Sequence, residues 1–265
     1  MRLKSLEEIA KIKEGGLLLG QILAEVAAAV APGVTTRELD ALAERRILEV
    51  GGKPAFKGYK AGGKKGFPAT LCTSVNEVVV HGIPNDTALK SGDIIGLDIG
   101  MEWPYKKGSK EKGLFTDTAI TVPVGVIAQS AQQLLTRTQQ SLYRAIATVG
   151  PGSAIADIGR AVEEYIRPFG YGIVVALVGH GVGHEVHEEP NIPNVWLKRF
   201  ATEKLVPGMV IAIEPMINAG TYEVDIARDG WAILTRDSKN SAHFEHTVII
   251  TEDGAVVATR RPDEL

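Results

Sequence analysis

Apolar residues in this chain fall first at helical and then at strand spacing, and that succession occurs twice. Ser5-x-x-Glu8 forms a capping box and predicts a helix running to about Val30. Gly15, Gly16 and Gly20 work against it, because glycine is less favourable than alanine inside a helix. Thr35-x-x-Glu38 predicts a second helix, ended by Gly51-Gly52. From Cys72 onward the texture changes to short β-branched runs. Between Asp93 and Gly100, Ile95, Leu97 and Ile99 fall on one face, while Ile94, Gly96, Asp98 and Gly100 fall on the other. Thr116–Val122 is the next predicted strand, with Asp117, Ala119 and Thr121 on one face. Helices return at about Ala128–Val149 and from Ala154 to near Gly170. Strands follow at Gly172–Val178, Val210–Ile213, Trp231–Thr235 and Phe244–Ile250. Two helices followed by strands, repeated, predict an α+β fold whose helices cover a curved, mainly antiparallel sheet.

The polar residues repeat as well. His81-Gly82-Ile83-Pro84-Asn85 and His187-Glu188-Glu189-Pro190-Asn191 both read H-x-x-P-N. After each comes an apolar run ending in a carboxylate, Asp98 in the first case and Glu214 in the second. Each run is followed by another carboxylate beside a threonine, Asp117 and then Glu245. Pro32-Gly33 and Pro151-Gly152 precede corresponding helices. One series kept in one order predicts a single domain of two pseudo-symmetric halves, about 1–125 and 126–265.

Composition sets the bounds. With 265 residues, 45% hydrophobic and 23% charged, the chain can bury a large core. A net charge of −3 gives no general case for binding DNA or a membrane surface. Cys72 is the single cysteine, which excludes an intrachain disulfide and fits a reducing compartment. The first residues lack an apolar signal segment, and no uncharged run is long enough to span a bilayer. A cytoplasmic monomer is the expectation. Two lysine- and glycine-rich segments, 57–66 and 104–113, read as solvated surface loops. Their sharper reading is a basic rim that docks on something acidic, such as ribosomal RNA.

A lone aspartate on a strand is usually a surface residue, but the set changes the balance. Asp98, Asp117, Glu214 and Glu245 would repel one another strongly if they converged without a counter-charge. Two divalent ions about 3.5–4 Å apart would balance them, with His180 as a neutral fifth ligand. Such ions lower the pKa of a bound water from about 15.7 towards about 7. Mostly oxygen ligands, one imidazole and no thiolate suit Co(II), Mn(II), Fe(II) or Zn(II), with no ranking among them. His180 lies in Gly179–Gly183, too glycine-rich for a helix but open to close approach. His184-Glu185-Val186-His187 is one residue short of the H-E-x-x-H zinc motif and is not read as one.

The set HGIP at His81, LDIG at Asp98, TDTA at Asp117, GHGVGHEVHEEP from Gly179, IEPM at Glu214 and FEHT at Glu245 resembles the methionine aminopeptidases. The pattern looks like that of the bacterial type I form, with the pita-bread fold, and the resemblance covers nearly the whole chain. The resemblance implies a metal-dependent aminopeptidase that removes N-terminal methionine from peptides and nascent chains with a small second residue. It implies that Asp98 and Asp117 hold one ion, that His180 and Glu214 hold mainly the other, and that Asp117 and Glu245 bridge both. His81 and His187 would contact substrate, Glu214 would shuttle a proton, and a hydroxide bridging the ions would attack the first peptide carbonyl. Tyr59, Phe67, Cys72 and Trp231 would line the methionine pocket.

The chain departs from that pattern in places. The connection between Asp98 and Asp117 is longer than usual, the 57–66 loop is expanded, and Val186 replaces a residue often aromatic, which predicts a wider pocket. His184 and His243 have no role carried by the resemblance. The runner-up is an Xaa-Pro aminopeptidase or prolidase, which usually carries an additional N-terminal domain. A non-catalytic pita-bread binding protein would have lost ligand residues, and none is lost here.

Overall fold

The computed structural model describes residues 2–60, 65–109 and 111–264. Helix α1 (Leu6–Ala28) and helix α2 (Thr36–Glu49) both begin with the capping boxes read from the sequence. In each box the cap hydroxyl accepts from a backbone N–H while a glutamate accepts from the cap backbone, satisfying donors that a helix start leaves open. Strands β1 (Lys53–Pro54), β2 (Leu71–Val75), β3 (Val78–Val80), β4 (Ile94–Trp103) and β5 (Leu114–Pro123) complete the first half. Helices α3 (Gln129–Ile146) and α4 (Ile155–Ile166) open the second. Short strands follow: β6 (Gly172–Ile173), β7 (Gly179–Gly181), β8 (Glu188–Ile192), β9 (Val210–Ile213) and β10 (Met216–Asn218). The last are β11 (Val224–Ile226), β12 (Ile233–Thr235), β13 (Ser241–His243), β14 (Glu245–Thr251) and β15 (Gly254–Val257).

A nine-stranded sheet runs β1-β4-β5-β14-β9-β7-β8, with β2 also on β4 and β15 also on β14. Two three-stranded sheets, β13-β10-β6 and β11-β12-β3, flank it. The pairings are antiparallel, as the alternating pattern predicts. Ile95, Leu97, Ile99 and Met101 of β4 pack under α1 and α2. Ile211 and Ile213 of β9 and Val248 and Ile250 of β14 pack with residues of α3 and α4. Each half therefore buries one sheet face beneath its own two helices.

Some backbone hydrogen-bond pairs recur with the same pattern in both parts of the chain. Gly33 N donates to Leu89 O and Leu89 N to Val34 O; Gly152 N donates to Leu205 O and Leu205 N to Ser153 O. Gly92 N donates to Val124 O and Val124 N to Asp93 O; Gly208 N donates to Ile250 O and Ile250 N to Met209 O. The halves meet at β5 and β14, where the ladder is short: Glu245 pairs with Ala119 and His246 with Thr118. Threonines extend it. Thr118 Oγ1 donates to Glu245 O at 2.9 Å, Thr121 Oγ1 to His243 O at 2.8 Å, and Thr247 Oγ1 to Asp117 O at 2.8 Å.

Some expectations need correction. The apolar run Gly172–Val178 is a strand only over Gly172–Ile173; beyond Val174 it leaves the sheet, and Val175 is 44% exposed. Its apolar character serves a cavity wall. The predicted strand from Trp231 begins at Ile233, and the helix from Ala154 ends at Ile166 before a 3-10 turn to Phe169. Gly15, Gly16 and Gly20 are close-approach positions. A side chain at Gly15 would meet Trp103, and one at Gly16 or Gly20 would collide with backbone of Ala258, Thr259 or Arg260. No helix of the described residues is long and apolar enough to cross a membrane.

Candidate metal centre

Strand pairing brings the carboxylates together. Cys72 pairs with Asp98, Asp98 with Ala119, and Ala119 with Glu245, so these residues form one row across β2, β4, β5 and β14. Directly opposed residues point to the same face of a sheet. Asp117, two residues from Ala119, shares that face. Glu214 follows the end of β9, whose Ile213 pairs with His246 of β14. His180 sits in β7, where Gly181 pairs with Ile211 of β9. Flanking glycines are required here, because a side chain at Gly179 would strike Ala212 O and one at Gly181 would strike Glu189 O. The close approach inferred from the sequence is real, but the neighbours are adjoining strands.

Every predicted site residue lines one cavity of about 340 Å³: Tyr59, Phe67, Cys72, His81, Asp98, Asp117, His180, His187, Glu214, Trp231 and Glu245. Phe56, Val80, Ala176, Leu177, Val178 and Met216 complete its walls and were not foreseen. Val186 packs behind the aromatic wall with Phe56, Phe67 and Cys72. Ligand-type atoms approach in three overlapping groups: Asp98, Asp117 and Glu245; His180, Glu214 and Glu245; and Asp117, His180 and His187. Asp117, His180 and Glu245 each belong to two of the groups, and His187 enters one of them.

Buried oxygens Asp98 Oδ1, Asp117 Oδ1 and Glu245 Oε1 make no hydrogen bond among the described residues. Each such atom costs roughly 1–3 kcal/mol unless something satisfies it. Burial lifts the Asp98 carboxyl to about 6, with the His243 charge pulling the other way. Burial, then the charges of Asp98 and Glu214, drives Asp117 well above the ordinary range. Glu245 is driven up likewise by burial and by Asp117. Glu214 differs: burial pushes it up, but His243, His180 and His187 more than offset this and hold it below its ordinary value. Its Oε1 lies 3.6 Å from His180 Nε2 and its Oε2 lies 3.4 Å from His243 Nε2. The donor set, hard oxygens with unsatisfied lone pairs plus imidazole, fits divalent cations.

The histidines are held individually. His180 Nδ1 lies 2.9 Å from Gly181 O, a carbonyl that can only accept, so Nδ1 carries the proton and Nε2 offers its lone pair to the cavity. His187 Nδ1 bonds Tyr59 Oη at 2.8 Å, and its ring lies 4.3 Å from that of His180. Though part of its ring is exposed at the cavity mouth, desolvation and the neighbouring His180 lower its pKa to about 3. His81 adopts a left-handed backbone, φ 60°, which non-glycine residues rarely take. Beside it Gly82 lies so close to Thr73 that any side chain would collide, and Thr73 N donates to Gly82 O at 2.8 Å.

His184, without a predicted role, lies on a structural latch. Its Nε2 is 2.9 Å from Glu8 Oε1, while buried Lys4 pairs with Glu188 at 2.8 Å. His243 has a place at the centre through Glu214; only its H-x-E-H spacing to Glu245 and His246 hinted at this. In the basic segments, residues 61–64 and 110 lie outside the described residues. Lys57 pairs with Glu44 at 2.7 Å and Lys112 with Glu185 at 2.9 Å.

A curved antiparallel sheet that gathers buried acids and histidines on one apolar cavity is the architecture of a metal-dependent hydrolase. The model of metallopeptidase family M24 matches residues 10–252, and the chain belongs to that family, among its methionine aminopeptidases. The methionine aminopeptidase of Borreliella burgdorferi is 44% identical over 252 residues, 95% of each chain. The crystal structure of methionine aminopeptidase from Rickettsia prowazekii superposes with a TM-score of 0.90 at 35% identity, covering 98% of this chain and 100% of that one. A prolidase from Pyrococcus horikoshii shares the fold at a TM-score of 0.75 and 22% identity, but this chain covers 63% of it.

Proposed function

We propose that this chain hydrolyses the N-terminal methionine from peptides and nascent chains whose second residue is small. The carrying observation is the row of buried acids at the base of a cavity whose other wall is apolar and aromatic. In this reading Asp98, Asp117, His180, Glu214 and Glu245 hold two divalent ions, with Asp117 and Glu245 shared. Bound ions would acidify a water to make a nucleophile near neutral pH and would polarise the scissile carbonyl.

The chain's own residues supply the rest. Phe67, Cys72, Tyr59 and Trp231 form the apolar surface for the methionine side chain. The Phe67 and Trp231 rings meet edge-on at 5.3 Å between centroids. Cys72 acts there as a small hydrophobe, since burial pushes its thiol pKa well up. His81 and His187 contact the peptide group, and the low pKa of His187 keeps its ring neutral, able to donate a hydrogen bond from Nε2 to a developing oxyanion. Glu214, whose pKa is held below its ordinary value chiefly by its contact with His243, accepts a proton at a carboxylate oxygen and returns it to the leaving amine. Exposed Lys60, Lys65, Lys106 and Lys107, together with the ion-paired Lys57 and Lys112, are the described lysines of a basic rim that we assign to ribosome docking. Replacing them should weaken co-sedimentation with ribosomes while tripeptide turnover holds; unchanged co-sedimentation rejects that assignment.

The deciding experiment uses metal-stripped protein reconstituted with Mn(II) or Co(II), offered Met-Ala-Ser and Ala-Pro-Ser. Metal-dependent methionine release with the Ala-Pro bond intact is the expected result. Cleavage of Ala-Pro alone would move the activity to the proline-specific relatives, and cleavage of neither would refute a peptidase role.

A further inference from the structure

On the sheet face away from the cavity, directly behind the carboxylates, lies a buried arginine that the chemistry above does not use. Arg261 is 1% exposed. Thr118 and His246 alternate with Asp117 and Glu245 along β5 and β14, so they point to this rear face. Arg261 donates to Thr118 Oγ1 at 3.2 Å, to Ala119 O at 3.4 Å and to Glu264 Oε1 at 2.5 Å, and its Nη2 is 3.3 Å from His246 Nε2. Thr118 in turn donates to the Glu245 carbonyl. Glu264 is held from outside by Tyr143 Oη of α3 at 2.6 Å.

A parallel path reaches Asp117. Thr259 Oγ1 accepts from Thr247 N at 3.0 Å, and Ala258 N donates to Thr247 O at 2.9 Å. Thr247 Oγ1 accepts from Asp117 N and donates to Asp117 O. Segment 258–261 thus grips the backbone on both sides of a seam with only two register pairs. A buried guanidinium is costly unless its donors are used; here Nη1 and Nη2 are used, while Nε has no partner among the described residues, and the planar fork reaches several acceptors that a lysine cannot serve together. An apolar residue would fill the space without joining the strands.

We propose that Arg261 is a positioning residue for the metal centre, fixing the separation of Asp117 and Glu245 across the β5–β14 seam and so the spacing of the two ions. This rests on the dinuclear reading above. The test is Mn(II) binding to stripped wild type, Arg261→Lys and Glu264→Gln, followed by calorimetry and by electron paramagnetic resonance. Wild type should bind two ions and give a spin-coupled spectrum. Arg261→Lys should keep the first ion, bind the second about 10-fold more weakly, as loss of an outer partner typically does, and lose the coupled signal. Its kcat on Met-Ala-Ser should fall with KM little changed. Glu264→Gln, which frees the guanidinium from its outer anchor, should move the same readouts less far. Two ions at wild-type affinity with a wild-type coupled spectrum in both variants would overturn the proposal. Should Arg261→Lys fail to fold, the same result in Glu264→Gln alone would overturn it. A single site in wild type would sink the dinuclear reading and this proposal together.

Discussion

Asp98→Asn in the metal-free protein isolates the cost of assembling the centre. The side chain is buried, its Oδ1 makes no hydrogen bond among the described residues, and its carboxyl is lifted by burial from an ordinary 3.8 to about 6. Because the folded value exceeds the unfolded one, the native state binds the proton more tightly between those values. The corresponding stability is complete below about pH 3.8 and lost as pH rises through about 6. Each logarithmic step is worth about 1.4 kcal/mol, so ionising Asp98 in the folded protein costs on the order of 3 kcal/mol at neutral pH. Asparagine keeps the shape and cannot ionise. Urea unfolding in the presence of a chelator should therefore find Asp98→Asn more stable than wild type by roughly that amount at pH 7.5, and nearly equal at pH 3.5. Saturating Mn(II) should reverse the order, since a ligand at 1,000 times its Kd stabilises by about 4 kcal/mol. A variant less stable than wild type in chelator at pH 7.5, or a gap that ignores pH, would refute the account of Asp98 as strained by burial.

Other expectations follow from single contacts. Asp117→Ala and Glu245→Ala should each abolish turnover and reduce bound metal below two ions per chain, measured by elemental analysis; a variant retaining both ions would remove the shared-ligand assignment. Tyr59→Phe deletes the 2.8 Å bond to His187 Nδ1. One such bond is worth about 1 kcal/mol, so kcat should drop about fivefold at unchanged metal content, and an unaltered kcat would disconnect the loop from His187. Gly20→Ala places a methyl group 2.8 Å from the Thr259 and Arg260 carbonyls; overpacking of this kind predicts a loss of about 1–3 kcal/mol in urea melts. A neutral or stabilising outcome, as helix propensity alone would give, would mean the crossing is loose.

What the sequence disclosed divides along physical lines. Both capping boxes and the long strands were legible because their signals are local: a hydroxyl three residues from a glutamate, or an alternation of ten residues. The four proposed carboxylate ligands were legible because duplication repeats them in order, and His180 because glycines flank it. Short strands such as β7 and β10 carry too few residues to show a period, and the run after Ile173 showed why an apolar stretch need not be a strand. The glycines of α1 looked like helix defects because their reasons, Trp103 for Gly15 and segment 258–260 for Gly16 and Gly20, are remote in the chain. His243 and Arg261 were missed likewise: what they touch is set by tertiary packing, which no window of sequence contains.

The crossing of α1 by segment 258–260 has a kinetic consequence. It joins the first long element to one of the last, so almost the entire chain lies within the loop it closes. Closing so large a loop costs entropy before any contact repays it, and topologies dominated by distant pairings fold slowly. If Arg261 sets the spacing of the acids as proposed, they take it only after this closure has occurred. As the chain leaves the ribosome, Asp98, Asp117 and even Glu245 emerge before the segment that braces them in our proposal, so the centre is expected to assemble only once residue 261 has been made.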